Sequence, residues 1–194
     1  MQDKVSLRKE LLKKRDSIPR EVRKIKNGLI RDRLFSLYEI KNAKTLFFFA
    51  SFRTEVNTSL MIEQVLSAEK RLVLPKVDAG NRRLVLYEVE TVGELLPGYM
   101  GIPEPSITNA ERHRNIQDVD AVIIPGAVYD TSGNRIGYGG GYYDKLLSGL
   151  TNKIPIIAPA YEEQVVDSIP EEPHDIKVHM IVTDRRVIWC KRTE

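Results

Sequence analysis

Two short apolar runs constrain the fold of this chain more than any other feature. Thr45–Ala50 (TLFFFA) and Asp120–Pro125 (DAVIIP) are too short for buried helices and show no alternation of polar and apolar residues. A strand that is apolar on both faces must be covered on both faces, as in a parallel sheet lined by helices on either side.

The rest of the chain supplies matching elements. Residues 3–15 read as a helix. Residues 20–38 read as a second, with Ser17 as N-cap, Pro19 near the first turn, and Val22, Ile25 and Leu29 as its apolar face. Residues 58–69 read as helical through Leu60, Ile62, Val65 and Leu66. RLVLP (71–75) reads as a strand stopped by Pro75, and Leu84–Val89 as another. Ile154–Ala158, Val178–Thr183 and Arg186–Trp189 read as further strands, the last two a hairpin around Asp184. Residues 97–106 form a loop dense in Pro and Gly, and Tyr142–Ser148 begins a helix. Alternating helices and buried strands predict an α/β fold with a largely parallel sheet. No linker divides the 194 residues, so residues 1–194 are expected to form a single domain, with basic helices 3–38 packed on it.

Charge is unevenly spread. Residues 1–44 carry 14 Lys/Arg against 6 Asp/Glu, a net of +8, while residues 45–194 carry 16 against 21, a net of −5. Lys4, Arg8, Leu11 and Arg15 lie 4, 3 and 4 apart and share one helical face within ~60°. Such a stripe can face a polyphosphate or nucleic acid, or be a solvated basic face. Against nucleic acid, it lacks interleaved aromatics. No run of ~18 apolar residues offers a membrane span, and the first 20 residues lack the apolar core of a secretory signal. One cysteine, Cys190, allows no internal disulfide and no cysteine zinc site. These features point to a cytoplasmic protein.

The most informative segment is Asn134–Asp144, NRIGYGGGYYD, with Gly137, Gly139, Gly140 and Gly141 inside five positions. Bare backbone N–H groups leading into a helix suit an anion, the plainer alternative being a flexible loop with Asp144 as a helix cap. Arg135 adds a fork matched to phosphate oxygens, Tyr142 and Tyr143 add flat faces for a planar ligand, and Asp144 is an oxygen ligand of the kind Mg²⁺ prefers. The segment is neither a P-loop, having no Gly-Lys pair, nor a dinucleotide fingerprint, since Tyr142 stands where the third glycine belongs. Glu55 follows the first buried strand, where α/β ligands sit, and reads either as a carboxylate for an N–H-rich heterocycle or as a surface charge before the 58–69 helix. Glu104 reads as plain loop, and Lys76 as a strand-end cation or a solvated one. His174 and His179 lack the spacing of a helical metal pair, and Trp189 is read as core or interface.

Taken in order, six segments resemble the 5-formyltetrahydrofolate cyclo-ligase (5,10-methenyltetrahydrofolate synthetase) family. They are K-x-x-L-R at Lys4–Arg8, E-V-x-T at Glu55–Thr58, LPKV at 74–77, GIPEP at 101–105, IIPGAVYDTSGNRIGYGGGYYD at 123–144 and HDIKV at 174–178. The 133–144 block is highly specific; the others are weak alone.

The resemblance implies a three-layer sheet like that of the sugar-phosphate isomerase/CoA-transferase-like superfamily. It also implies an ATP- and Mg²⁺-dependent ligase forming a C–N bond, which converts 5-formyltetrahydrofolate to 5,10-methenyltetrahydrofolate through a phosphorylated formyl group and releases ADP and phosphate. Carried over residue by residue, it implies that ATP is held by Lys4, Arg8, Arg135, Ile136, Gly137, Tyr138, Gly139, Gly140, Gly141, Tyr142 and Tyr143, with Arg135 catalytic. Glu55, Tyr138, Gly139, Gly140, Gly141 and Tyr142 would face the reduced folate, and Asp144 would bind the metal. The family often has a second acidic ligand just after H-D-I-x-V; here that position is His179, a poor Mg²⁺ ligand, and it is left out. The expected partners are small molecules, without nucleic acid or membrane, and the expected state is a monomer. Two other readings stay open: a non-enzymatic nucleotide- or RNA-binding module, and a sugar-phosphate isomerase-like enzyme without ATP.

Overall fold

The structure is a computed structural model that describes residues 3–150, 154–172 and 175–190. Five α-helices are described: α1 Lys4–Asp16, α2 Arg20–Ser36, α3 Tyr38–Asn42, α4 Ser59–Ser67 and α5 Tyr142–Leu147. The strands are β1 Thr45–Phe47, β2 Arg71–Asp78, β3 Arg83–Val89, β4 Leu95–Pro97, β5 Pro103–Pro105, β6 His113–Arg114 and β7 Ala121–Ile123. They continue with β8 Val128–Asp130, β9 Arg135–Ile136, β10 Ile156–Pro159, β11 Val165–Val166, β12 Met180–Val182 and β13 Val187–Trp189.

Eight strands form the central sheet in the order β13-β12-β10-β7-β1-β2-β3-β6. The five from β12 to β2 are parallel, while β13, β3 and β6 join by antiparallel pairs. Successive residues of β1 enter different cores, as the unalternating apolar pattern requires. Leu46 and Phe48 pack with Ile30 and Leu34 of α2, Ile40 of α3 and Met61 and Val65 of α4. Phe47 packs on the opposite face with Val122, Ile181 and Leu147 of α5. The result is a three-layer α/β arrangement around a mostly parallel sheet.

The chain leaves β1 through α4 to reach β2 on one side, and leaves β7 through α5 to reach β10 on the other. The gap between the carboxyl ends of β1 and β7 is therefore the point where the winding reverses, the usual place for a ligand in an open α/β sheet. Above it lies a smaller sheet, β11-β8-β9, against which α1 seats Leu7 and Leu11 beside Val128 and Ile136.

Several local expectations are corrected. Pro19, not Ser17, occupies the N-cap of α2, without any side-chain cap bond; Ser17 ends α1. The second helix breaks at the extended Leu37 and resumes as α3. Val22, Ile25 and Leu29 do not form its buried face; all three are exposed, and Ile30 and Leu34 enter the core. Strand β2 runs through Pro75 to Asp78. The Val73 carbonyl bonds to the Phe48 N–H, so the N–H two residues on would also point toward β1, which has ended by then. Pro75 therefore deprives the ladder of nothing. Trp189 is not part of the core; it is exposed on this chain.

Candidate active site

The β8–β9 hairpin builds the first wall. Asp130, buried at its turn, accepts the N–H groups of Ser132, Asn134 and Ile169 and the side-chain amide of Asn134, all within 2.9–3.0 Å. That lock fixes the direction in which Arg135 leaves β9. Arg135 is almost wholly buried, pairs through Nη2 with Asp144 Oδ1, and sends Nη1 to the Pro125 carbonyl at 3.4 Å. Its Nε and the neighbouring Tyr129 hydroxyl are buried without hydrogen-bond partners. Buried groups left unsatisfied are costly, and native proteins tolerate them chiefly where function demands it.

The glycine-rich segment follows directly. Gly139 has φ 96° and Gly141 φ 66°, both in the left-handed region where a side chain is disfavoured. Gly141 is the N-cap of α5, which has only six residues, so the helix end adds little to the pull on an anion. Arginines supply most of the positive charge. Arg8 donates from Nε to the Gly137 carbonyl at 2.8 Å and lies over Gly139.

Helix α1 turns its basic stripe inward. Lys4, Arg8 and Arg15 all line one cleft of about 880 Å³, which also takes in the glycine-rich loop, Glu55, Pro75, Val77 and Glu104. The stripe is thus not simply a solvated face. Lys4 is ion-paired with Asp175 at 2.6 Å and Glu172 at 3.4 Å. Burial works against its charge, but those two carboxylates outweigh it and the Lys4 pKa is raised.

The second wall rises from the end of β1. Glu55 Oε2 accepts the Phe52 N–H at 2.7 Å, and its carboxyl meets the Tyr138 hydroxyl. Burial raises the Glu55 pKa, against those hydrogen bonds and the positive charge of Arg15. Burial, with the Glu55 charge adding to it, also raises Tyr129, Tyr138 and Tyr143, which stay neutral hydroxyls at any working pH. Arg15 is the residue that pattern reading placed on the stripe but did not assign to the site. It donates from Nη1 to the Tyr138 hydroxyl at 2.5 Å and from Nε to Thr54 Oγ1 at 3.1 Å. Only its position in the i, i+4 series with Lys4, Arg8 and Leu11 could have signalled this.

Other expectations fare unequally. Glu104 is not plain loop: it lies in β5, is buried, and accepts the Val77 N–H at 3.2 Å. Lys76 is neither at a strand end nor solvated, but bonds the Pro105 carbonyl at 2.9 Å and ties β2 to β5. Tyr143 lines the cleft and also packs edge-on against Phe47, 6.4 Å between centroids. His179 Nδ1 accepts the Ile156 N–H at 3.0 Å and does not line the cleft. His174 lies outside the described residues. Among the described residues no three His, Cys, Asp or Glu side chains cluster as a metal cage. Asp144 remains the candidate, and Mg²⁺ commonly needs only one or two protein carboxylates beside phosphate oxygens.

Fold and cleft together define an α/β protein with a large cleft at the sheet's switch point, lined by basic side chains, a glycine-rich loop and the Glu55–Tyr138 pair. Residues 1–184 match the model of the 5-formyltetrahydrofolate cyclo-ligase family, and the chain belongs to that family. It is 34% identical to Aquifex aeolicus 5,10-methenyltetrahydrofolate synthetase, whose NMR structure superposes with a TM-score of 0.86 over 98% of this chain and 94% of that one. The corresponding synthetase structure from Mycoplasma pneumoniae gives a TM-score of 0.76 at 25% identity, over 94% and 99%. The 5-formyltetrahydrofolate cyclo-ligase of Escherichia coli (strain K12) is 31% identical over 80% of this chain and 86% of that protein. With these relatives, the chain is an enzyme of the ligase type.

Proposed function

We propose that the cleft closes the ring of 5-formyltetrahydrofolate to 5,10-methenyltetrahydrofolate at the expense of ATP and with Mg²⁺. The observation that carries this reading is a single cleft whose lining offers both of the chemistries required. Arg135, Arg8 and the Gly137–Gly141 backbone suit a triphosphate, and Glu55 with Tyr138 suits a ring edge bearing N–H groups.

In this reading the formyl oxygen attacks the γ-phosphorus of ATP as the bond to the bridging oxygen breaks, giving ADP and an iminium phosphate. N10 then attacks the formyl carbon, N10 loses its proton, and phosphate departs with the former formyl oxygen. Such chemistry asks the protein for position and charge neutralisation. Arg135 meets the charge on the transferring phosphoryl group, while Lys4 and Arg8 hold the remaining phosphates. Ile136, Gly137, Tyr142 and Tyr143 shape the ATP side, and Glu55 orients the folate ring with Tyr138 and Gly139–Gly141. Asp144 would hold Mg²⁺, which supplies charge neutralisation on phosphate oxygens. Arg135, its present partner, would then turn to the phosphates. No described helix is long and apolar enough to cross a membrane, and the same proposal takes the protein as a cytoplasmic monomer of sugar-phosphate isomerase/CoA-transferase-like topology.

The test is direct. Purified protein is incubated with 5-formyltetrahydrofolate and Mg-ATP while the methenyl product is followed by its absorbance at the edge of the visible range. ATP-dependent product with equimolar ADP and phosphate is expected. Absence of product from active substrate refutes the proposal.

A further inference from the structure

Arg15 presents a problem that the mechanism above leaves unused. Its side chain is only 5% exposed, yet the nearest carboxylate, Asp16, stands 3.8 Å away and is itself largely exposed. A buried guanidinium without a close counter-ion is expensive, because desolvation is not repaid. Its hydrogen bonds go to neutral groups, the hydroxyls of Tyr138 and Thr54, with its charge 5.7 Å from the Tyr138 ring centroid. Thr54 relays it to the exposed Asp16; on the inner side a second anion lies one step beyond Tyr138. The Tyr138 hydroxyl accepts from Arg15 and meets the carboxyl of Glu55, which lines the same cleft. The result is a chain from cation through phenol to carboxylate, reaching from α1 into the cleft.

We propose that Arg15 is a positioning residue, which acts through the Tyr138 hydroxyl to hold the Glu55 carboxylate aimed at the N–H groups of the bound ring. The inference rests on the proposed folate reading and deepens it. Arg15 itself touches no substrate. The groups facing Glu55 are Arg15 from α1, Tyr138 from the glycine-rich loop, Tyr129 from β8 and Tyr143 from α5. Three of these are neutral phenols, so Arg15 is the one cation among them. Without it, burial acts on Glu55 unopposed by any positive neighbour in that set, and the carboxyl takes up a proton more readily. A protonated Glu55 offers one acceptor fewer and cannot bind two ring N–H groups at once.

The experiment pairs Arg15→Met with Arg15→Lys and reads two quantities. The first is the Glu55 carboxyl titration by ¹³C NMR, assigned with Glu55→Gln. The second is kcat/KM for 5-formyltetrahydrofolate against pH. For Arg15→Met the Glu55 titration and the acidic limb of the profile move up together by about one unit or more. KM for folate rises about tenfold at pH 7.5, and KM for ATP stays within about twofold. Arg15→Lys, which keeps the charge, returns most of the shift. Tyr138→Phe removes only a hydroxyl from a half-exposed residue, and gives a smaller shift in the same direction should Arg15→Met fail to fold. A Glu55 titration that ignores Arg15→Met, or equal losses for both substrates, overturns the proposal. If the wild-type protein makes no methenyl product while the Glu55 titration still responds, the proposed reaction falls and the positioning role stands. Turnover with an indifferent Glu55 has the opposite meaning.

Discussion

Replacing Arg135 with methionine separates the catalytic from the structural work of the most buried cation in the cleft. Methionine fills much of the same space, so the cavity term is small. The change strands Asp144, whose side chain is 35% exposed. Breaking a buried pair costs about 3–5 kcal/mol, but a carboxylate this accessible rehydrates, and the loss falls toward ~1 kcal/mol. In a chain of this length that lowers Tm by roughly 2–4 °C. The effect on phosphoryl transfer is of another order. An arginine meeting transition-state charge contributes on the order of 10³–10⁵ in kcat, or about 4–7 kcal/mol of barrier. Arg135→Met should therefore unfold only slightly earlier and turn over at least about a thousandfold more slowly, with KM for folate little changed. The assay is methenyl absorbance at saturating Mg-ATP beside thermal unfolding of the same preparation. A kcat within about threefold of wild type, or a deficit that vanishes at a temperature well below both midpoints, refutes the role assigned to Arg135.

Other outcomes follow from neighbouring residues. Burial raises the Glu55 pKa above 4.5, so the folded state keeps its proton longer than the unfolded chain and stability falls as pH rises through the folded value. Glu55→Gln should accordingly melt higher than wild type at neutral pH and lose activity, the melting difference closing below about pH 4.5. Leu11 is 1% exposed and seats α1 on the small sheet, so Leu11→Ala should cost about 2–5 kcal/mol in denaturant melts and raise KM for ATP. Equal KM values would show that α1 does not carry phosphate ligands. Gly139→Ala forces a side chain into the left-handed region and 3.3 Å from the Arg8 guanidinium, and should destabilise by roughly 1–2 kcal/mol and weaken ATP binding. Unchanged binding would remove the loop conformation from the argument.

The sheet was legible because Leu46, Phe47 and Phe48 are apolar in succession, which only a doubly covered strand accommodates. The glycine-rich loop was legible because four glycines in five positions have few structural uses. The burial of α2 was not. Its Val22, Ile25 and Leu29 make as regular a stripe as Ile30 and Leu34, and periodicity cannot tell which stripe the sheet accepts. The Pro75 stop failed for a tertiary reason: a neighbour that ends two residues earlier makes the missing N–H harmless. Most of all, the partners of Arg15 were out of reach. Tyr138 lies 123 positions away, and only the docking of α1 on β8 and β9 brings the two within a hydrogen bond.

That docking has a consequence for how the molecule is born. During synthesis α1 leaves the ribosome well before Val128 and Ile136, on which Leu7 and Leu11 rest and which follow more than a hundred residues later. A 13-residue helix with a net positive charge is marginal alone in water. Until the β8–β9 hairpin emerges, α1 has nowhere to settle, and the central sheet grows without it. The wall of the cleft that α1 forms is thus closed only after the β8–β9 hairpin has emerged, although α1 precedes that hairpin by more than a hundred residues.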